Sequence, residues 1–470
     1  MLRAGPTRDH AGMRPDDIHL EPQVSATNLS QNANELESDP QTEEHAIAAP
    51  PTRQYQALLL LTGFLMTFHV IGINSVYGIF QEFYTSKETN IVDGRGQDAL
   101  ISLVGTIGSG LTWSGSIFVN PLIARTDHVK VITFIGALIM SIGLFAASYS
   151  TKLWHLYLTQ ALLYGVGSSM YYFPIMSITP IYFDRHRGFA MGLILAGSGV
   201  GGLVIAPVLE TLLSKYGIGW ALRALGIWNF AIGLPVSMVL RHRPGFGARG
   251  RTRLNLRLVK NGTFIYQAFG AFFQAAGNII PIYYLSSYCV GVLGYSRSTG
   301  SLLLAINSAV NSVSRISMGV LADRVGRQNT MIASVMLSAI SVLALWYNAP
   351  RVQFITFVIL YGVYAGGYNA LLPTTITEIY GVQDYASVNG FIYFIRGLGS
   401  ICGAPLAGLI LGSHKRGSAL LGTDLDKGTL RRRYNDVVLY SGMLLVGAGF
   451  CVAYVRWLHA RARGGWSWKA

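Results

Sequence analysis

The amino-acid sequence predicts an all-α polytopic membrane protein in which twelve transmembrane helices form two pseudosymmetric six-helix bundles. Three observations lead to this prediction. The chain of 470 residues is 51% hydrophobic and only 12% charged, whereas soluble domains are about a quarter charged. Several apolar runs approach the ~20 residues needed to cross the hydrocarbon core of a bilayer. The second half of the chain also repeats the pattern of the first.

Polar loops, often containing Gly, Pro or Asp, divide the apolar part of the chain into twelve predicted spans. An even number of spans places both termini on the same side of the membrane. The predicted spans cover residues 57–80, 98–119, 129–149, 153–176, 188–210, 219–240, 261–285, 298–318, 330–347, 353–376, 386–411 and 436–458.

An internal repeat relates the two predicted bundles. The sequence Leu-Tyr-Gly-Val begins at residue 163 in the fourth span and again at residue 360 in the tenth. A duplicated bundle is typical of secondary transporters, whose substrate site lies between the halves near the bilayer midplane. Glycines four residues apart, such as Gly197 and Gly201 or Gly399 and Gly403, allow close contact between helices. The positions that recur 198 residues later are Gly192, Gly199, Gly201 and Pro207, which become Gly390, Gly397, Gly399 and Pro405.

Charge and hydropathy divide the chain into five predicted segments. Residues 1–55 carry nine Asp or Glu and four Arg, so this segment has a net charge of −5 and the remainder has +19. The abundance of Pro, Asn, Gln, Glu and Ser in it predicts a disordered acidic cytosolic tail. The other predicted segments are an amino-terminal bundle at 56–240, a basic cytosolic linker at 241–260, a carboxy-terminal bundle at 261–460 and a cytosolic carboxy-terminus at 461–470.

The basic residues of the loops predict the orientation of the chain. The linker and the loops after the second, fourth and eighth spans carry Lys and Arg, and such loops mark the cytosolic side of a membrane protein. Both termini are therefore predicted to be cytosolic, and the predicted location is the plasma membrane. The segment 412–435 disagrees, because it is predicted to be an external loop yet also carries several Lys and Arg residues.

The sequence argues against a nucleic-acid-binding protein and against an enzyme. Its basic residues are confined to short loops between apolar spans, where they set topology. The sequence contains no metal-binding spacing, nucleophile–base pair or phosphate-binding loop, so no catalytic residue, metal or cofactor is predicted. The predicted partners are the lipid bilayer and a small organic substrate, for which a carboxylate is a candidate.

The loop after the eighth span reads GVLADRVGR (319–327), which resembles the cytosolic loop signature of the major facilitator superfamily. The stretch YFPIMSITPIYFDRHRGFAMGLILAGSGVGG (172–202) is similar to the fourth and fifth helices of the monocarboxylate porter family, notably its fungal branch. The first span, FHVIGINSVYGIFQEFY (68–84), fits the same branch. The resemblance covers about residues 56–460. It implies a transporter with a central substrate site that opens alternately to the two sides.

Two positions depart from the lactate transporters of that family. Asn74 stands where those transporters carry a lysine in the first helix, and Asn311 stands where they carry an acid in the eighth, so that only Arg315 is retained. These departures favour a larger or less charged metabolite, and the leading prediction is a secondary active transporter of a small organic solute, for which an exported carboxylated secondary metabolite is a candidate. The sequence does not decide between import and export. The first alternative is a monocarboxylate importer with the proton as coupling ion. The second is a non-transporting membrane receptor or enzyme.

A polar stripe on the eighth span is the candidate substrate site. Asn307, Asn311 and Arg315 follow one another at the spacing of a helical turn, and such a stripe in a membrane helix is expected to face the bundle interior. A guanidinium can hold a substrate carboxylate through two hydrogen bonds. The alternatives are that Arg315 extends to the cytosolic surface or pairs with Asp323, and that the asparagines only join helices.

Further candidates lie in the first and eleventh spans. His69 and Asn74 are polar residues inside an apolar helix, and histidine can relay protons near neutral pH, with packing as the alternative. Arg396 is a second deep cation, which either lines the cavity or joins the cytosolic gate with Glu378 or Asp384. The aromatic residues that can stack on a planar substrate, with packing as the alternative for each, are Tyr77, Tyr172, Phe173, Tyr368 and Tyr393.

The charged loop after the eighth span is the candidate cytosolic gate. The carboxylate of Asp323 is expected to lie against the positively polarised N-terminus of the fifth span. Such a contact would hold the cytosolic side closed, and the alternative is a solvated turn that only fixes topology. The residues assigned to this gate are Gly319, Asp323, Arg324, Arg327, Arg185 and Arg187.

Overall fold

The computed structural model describes residues 52–85, 89, 91, 97–126, 128–183, 187–240, 261–419 and 427–465, and these residues form helices and short connections. Two π-helical turns, Tyr157–Leu163 and Val342–Trp346, join α6 to α7 and extend α11. The helices are α1 Arg53–Ser75, α2 Tyr77–Thr85, α3 Asp98–Ser114, α4 Ser116–Thr126, α5 Val129–Ala147, α6 Leu153–Leu156, α7 Tyr164–Tyr182, α8 Arg187–Val239, α9 Gly262–Gly291, α10 Arg297–Val325, α11 Arg327–Ser341, α12 Arg351–Ala419 and α13 Lys427–Ala462.

Helices α8 and α12 each consist of two helices that meet at a glycine. Gly217 has a φ of +76° and Gly381 has a φ of +78°. Glycine adopts this left-handed conformation without the steric cost of a side chain. The chain leaves the helical conformation at these two points, which divides α8 at residue 217 and α12 at residue 381.

Divided in this way, the described residues form twelve helical segments in the order that the sequence predicts. Helix α1 continues into α2, α3 into α4 and α6 into α7, with only local interruptions. Among the described residues, eight helices are long and apolar enough to cross a membrane. The helical fold and these apolar spans confirm the predicted fold class, and the number of helices that cross the bilayer stays a prediction.

Large apolar side chains cover much of the outer surface of the helices. Phe118 and Val352 expose 75% and 78% of their surface, and similar residues recur along most helices. Extensive exposed apolar surface of this kind is unfavourable in water, whereas the lipid tails of a bilayer are as apolar as these side chains. The chain is therefore a multi-pass membrane protein.

Glycines bring the first part of α8 into backbone contact with two neighbours. A Cβ atom at Gly201 would clash with the carbonyl oxygen of Phe68 in α1. A Cβ atom at Gly199, on the other side of the same helix, would clash with the carbonyl oxygen of Ser308 in α10. This part of α8 therefore lies between a helix of its own half and a helix of the other half.

The second part of α12 repeats this arrangement with glycines 198 residues later in the sequence. A Cβ atom at Gly399 would clash with the carbonyl oxygen of Phe272 in α9, and one at Gly397 would clash with that of Gly110 in α3. The internal repeat is thus also a repeat in packing. The two halves meet along two pairs of helices, α8 with α10 and α12 with α3.

The prediction of an external loop over 412–435 is wrong in extent. Helix α12 continues to Ala419, and α13 begins at Lys427. Nη2 of Arg431 donates a hydrogen bond to the carbonyl oxygen of Ala349, in the turn before α12 (3.3 Å). This arginine joins α13 to the turn before α12, which gives it a structural role.

The predicted segment boundaries are only partly described. The acidic tail 1–55, apart from its last residues, and the linker 241–260 lie outside the described residues. Helix α1 begins at Arg53, inside the predicted tail, and α13 ends at Ala462, inside the predicted carboxy-terminus 461–470. The division of the chain into these segments stays a prediction.

Substitution of Gly201 by alanine is expected to destabilise the fold by about 1–3 kcal/mol, because the added methyl group has no space beside the carbonyl oxygen of Phe68. Gly447→Ala in α13 is the matched control, since its Cβ would lie 3.7 Å from the side chain of Phe273. Alanine also favours a helix over glycine, so the control should be neutral or stabilising. Thermal unfolding midpoints of the purified proteins measure both effects, and equal midpoints for Gly201→Ala and the wild type would contradict this packing.

Candidate functional site

A cavity of about 30 Å³ lies between the two halves of the protein. Helices α1 and α8 line it from the first half, and α9, α10 and α12 line it from the second. Such a volume holds about two water molecules, so an organic substrate requires the halves to move apart. The lining is mostly polar and includes Asn278, Asn307, Asn311, Asn369 and Arg315.

The polar stripe predicted on the eighth span lies in this cavity. Asn307, Asn311 and Arg315 of α10 all belong to its lining. Each step of four residues turns an α-helix by only about 40° relative to the previous one, so the three side chains share one face. The expectation that this face points into the bundle is therefore met in the structure.

Arg315 reaches across the boundary between the halves. Its Nε donates to Oδ1 of Asn311 (2.8 Å), and its Nη1 donates to the carbonyl oxygen of Leu195 (2.8 Å) and to Oγ of Ser198 (2.5 Å), both in α8. Arg315 is buried, and no carboxylate of the described residues forms an ion pair with it. The alternatives of a surface position and of a pair with Asp323 are therefore wrong.

The two asparagines of the stripe also join helices. Nδ2 of Asn307 donates to the carbonyl oxygen of Val358 (2.8 Å), and Nδ2 of Asn311 donates to that of Gly362 (3.2 Å). Both acceptors lie in α12, one helical turn apart. The asparagines therefore fix α10 against α12, and Asn311 at the same time positions the guanidinium of Arg315.

His69 and Asn74 do not line the closed cavity. His69 is completely buried, and its ring lies 5.2 Å from the ring of Tyr171 in α7, within the first half. Asn74 is partly buried, and the neighbouring Ser75 lines the cavity in its place. A role of His69 or Asn74 in binding stays a prediction, which would need a different arrangement of α1.

The signature loop forms a tight turn between α10 and α11. Gly326, with a φ of +106°, connects Val325 to Arg327. The carboxylate of Asp323 is exposed and lies 3.9 Å from Nη2 of Arg327. Arg324 is also exposed, whereas Gly319 is buried. The proposed partners are not described, because Arg185 and the side chain of Arg187 lie outside the described residues, so the gating role stays a prediction.

A comparison of the sequence with models of known protein families shows which family this chain belongs to. The family model for the Major Facilitator Superfamily matches residues 59–316 and 267–463. The chain belongs to the Major Facilitator Superfamily. It is accordingly a membrane transporter of small molecules and not an enzyme.

Named relatives of this transporter are also transporters. It is 29% identical to the agnestins efflux protein AgnL12 of Paecilomyces divaricatus, over 77% of this chain and 83% of the relative. It is 28% identical to the MFS-type transporter pynF of Aspergillus niger, over 83% and 89% of the two chains. Its fold is similar to that of a bacterial homologue of the human lysosomal transporter Spinster, with a TM-score of 0.62 and 17% identity, over 89% of this chain and 100% of the other.

Contacts between the halves close the transporter at the end farthest from Arg53, the first residue of α1. We call this end the distal end. Oε1 of Glu82 in α2 and Nε of Arg297 at the start of α10 are 2.8 Å apart. The rings of Tyr77 and Tyr283 lie 5.0 Å apart on the same side of the cavity. A substrate that enters or leaves at the distal end must separate these residues.

The opposite end, where α1 begins, is the terminal end, and it is closed as well. Oγ of Ser116 in α4 donates to the carbonyl oxygen of Gly390 in α12 (2.7 Å). A Cβ atom at Gly192, near the start of α8, would lie 3.3 Å from the carbonyl oxygen of Arg315 in α10. The transporter is therefore described in an occluded conformation.

Arg396 lies at the terminal side of the cavity. Its Nη2 donates to Oδ1 of Asn369, which is the lining residue of α12 nearest the terminal end. Glu378, one of its predicted gate partners, accepts a hydrogen bond from Gln328 instead (2.9 Å). The side chain of the other predicted partner, Asp384, lies outside the described residues.

Sequence reasoning did not single out several lining residues. Tyr361, Ala365 and Asn369 follow one another at a spacing of four residues along α12, and all three line the cavity. This is the same signal that identified the stripe on α10. Ser198 and Asn278 have no comparable polar pattern in the sequence, because the other lining residue of each helix, Gly199 in α8 and Ile282 in α9, is not polar.

Proposed function

We propose that this transporter exports an organic anion, such as a carboxylated secondary metabolite, from the cytosol by alternating access. The observation that carries the proposal is Arg315, a buried cation that lines the cavity between the halves and has no ion pair with a described carboxylate. An unpaired buried cation is costly. A substrate anion in the cavity would compensate it.

Arg315 also supplies a link between substrate binding and movement. In the occluded conformation its guanidinium donates to the neutral oxygens of Leu195 and Ser198 in the other half. A carboxylate is a stronger acceptor than either oxygen. Substrate binding would therefore exchange these two bonds for bonds to the anion, and the contact between α8 and α10 would weaken at that point.

Export is favoured over import by the relatives of the transporter. The agnestins efflux protein is named for efflux, and it is similar to this chain over most of both lengths.

We assign the chain to the monocarboxylate porter family, on the resemblance of residues 172–202, with twelve membrane spans. The positive charge of the loops supports cytosolic termini, and the plasma membrane is the proposed location. The proton is the proposed coupling ion.

The proposed gate at the cytosolic side is the signature loop. Its exposed Asp323 and partly exposed Arg327 lie where α10 ends and α11 begins. The carboxylate would face the N-terminus of α8, where the positive end of the helix dipole favours a negative charge. The residues proposed to take part are Gly319, Asp323, Arg324, Arg327, Arg185 and Arg187.

Deletion of the gene from the producing cell tests the direction of transport. Untargeted mass spectrometry of cells and medium is expected to show an acidic metabolite that rises inside and falls outside, with both changes reversed by the wild-type gene. The complementing variant Arg315→Gln should not reverse them. A simple carboxylate that remains outside and is no longer consumed would contradict export and support the importer.

A further inference from the structure

Two aromatic rings lie against the guanidinium of Arg396, and two further rings pack against those two. Its carbon Cζ lies 4.8 Å from the ring centroid of Trp113 and 5.6 Å from that of Tyr393. Trp113 packs edge-on against Tyr172 (5.3 Å), and Phe173 packs edge-on against Tyr393 (6.0 Å). We call Trp113, Tyr172, Phe173 and Tyr393 the aromatic box. Arg396 is only 5% exposed, so aromatic faces take the place of water around this cation.

Two buried polar groups of the aromatic box and Arg396 have no hydrogen-bond partner among the described residues. Nη2 of Arg396 donates to Asn369, but Nε of Arg396 and the hydroxyl of Tyr172 have no hydrogen-bond partner among the described residues. Tyr172 is 1% exposed, so water does not reach its hydroxyl freely. No described carboxylate forms an ion pair with Arg396. A guanidinium carries five N–H donors, so the site is suited to a ligand that brings hydrogen-bond acceptors.

The two sides of the aromatic box belong to different halves. Trp113 lies on α3, and Tyr172 and Phe173 lie on α7, all in the first half. Tyr393 and Arg396 lie on the second part of α12, in the second half. When the halves separate at the terminal end, the rings of the first half must part from Arg396. The guanidinium and the aromatic faces then become available to a substrate together.

Arg315 brings a second cation to the same wall of the cavity. A Cβ atom at Gly366 of α12 would lie 3.1 Å from Cγ of Arg315. Asn369, the acceptor of Arg396, is three residues further along the same helix, a rise of about 4.5 Å. The two arginines therefore approach the cavity at neighbouring heights, with aromatic faces beside the second.

We propose that the substrate is a planar aromatic anion. Its ring system stacks in the opened aromatic box, and its oxygens accept hydrogen bonds from both Arg315 and Arg396. The ring contacts that Arg396 makes with Trp113 in the occluded protein are then made with the substrate. An aliphatic acid of the same size satisfies the charge but offers no π face to the cation. The inference rests on the proposed function, because it concerns the substrate of the same cavity.

Three probes of matched size test the substrate class without any substitution. They are 2-naphthoate, its saturated counterpart decahydro-2-naphthoate, and the neutral 2-naphthamide. Titration calorimetry with the purified full-length protein in lipid nanodiscs measures their dissociation constants. We expect 2-naphthoate to bind at least tenfold more tightly than either of the other two. Similar binding of 2-naphthoate and decahydro-2-naphthoate, or no binding of 2-naphthoate, would overturn the aromatic assignment.

Two substitutions test the residues. Arg396→Gln and Trp113→Leu should each weaken 2-naphthoate binding by about tenfold, and Trp113→Leu should leave decahydro-2-naphthoate unchanged. Arg223→Gln is the matched control, because Arg223 also lies over aromatic rings, those of Tyr149 and Trp220. Arg223 donates to Ser148, which does not line the cavity, whereas Arg396 donates to the lining residue Asn369. If Arg396→Gln does not fold, Arg396→Lys, which keeps the charge, is measured in its place.

The outcomes separate this inference from the proposed function. If Arg315→Gln weakens 2-naphthoate but Arg396→Gln and Trp113→Leu do not, the anion site stands and the aromatic box is not part of it. If Arg315→Gln leaves binding of every anionic probe unchanged, the proposed function itself is wrong. Weaker binding in all three variants with an unchanged Arg223→Gln control supports both.

Discussion

Replacement of Arg315 by glutamine is expected to reduce transport of the organic anion by about 100-fold. The guanidinium can give the substrate two charge-assisted hydrogen bonds, and their combined loss is worth about 3 kcal/mol, or ~100-fold in a binding constant. Arg315→Lys keeps the charge but loses the planar fork, so an intermediate loss is expected. Flux of the acidic metabolite in proteoliposomes measures both variants.

The stability of the Arg315 variants separates a substrate role from a structural role. A buried cation without an ion pair is costly, so Arg315→Gln should leave the thermal midpoint unchanged or raise it. Nε2 of glutamine is as many bonds from the backbone as Nε of arginine, so glutamine can still donate to Oδ1 of Asn311, the acceptor of that Nε. Arg223→Gln is the matched control for flux. A stable Arg315→Gln protein with wild-type flux would contradict the assigned role of Arg315.

Cross-links between the halves at either end of the cavity are expected to stop transport almost completely. At the distal end, cysteines at Glu82 and Arg297 replace a 2.8 Å ion pair. At the terminal end, cysteines at Ser116 and Gly390 replace a hydrogen-bonded pair. Alternating access requires each pair to separate once per cycle. A short, reducible bifunctional thiol reagent should block flux in a protein whose native cysteines are replaced, and a reducing agent should restore it.

A cross-link inside one half is the matched control. A Cβ atom at Gly300 of α10 would lie 3.7 Å from Cβ of Cys289 in α9, which is within the range of a disulfide. Both helices belong to the second half, so Gly300→Cys with Cys289 retained should oxidise and still transport. If the cross-links between halves leave flux intact, the halves do not move as the occluded cavity requires.

The order of the helices and the polar face of α10 could be predicted because both depend on local sequence. An apolar run of span length and a polar residue every four positions are properties of one segment. The stripe of Asn307, Asn311 and Arg315 lies on the cavity for this reason. His69 and Asn74 were grouped as candidates although a step of five residues turns a helix by about 140°. Only one of them can face a given neighbour, and His69 faces Tyr171.

The other features of the site depend on contacts between distant segments. Arg396 receives its aromatic neighbours from α3 and α7 and its acceptor, Asn369, from the first part of α12. Nothing in the sequence around residue 396 specifies these partners. Arg431 lies in the segment 412–435, which the sequence predicts as a loop, yet its acceptor is the carbonyl oxygen of Ala349. Long-range register of this kind is set by the packing of whole helices, which glycines such as Gly201 determine.

An efflux assay with loaded proteoliposomes most directly tests whether the cavity around Arg315 carries organic anions. Vesicles that contain the wild-type protein or Arg315→Gln are loaded with a small-molecule extract of the source organism. Mass spectrometry then identifies the compounds that leave. We expect the wild type to release one or more anionic compounds that remain inside the Arg315→Gln vesicles. Release of only neutral or cationic compounds, equal for both proteins, would contradict an anion transporter with Arg315 in its substrate site.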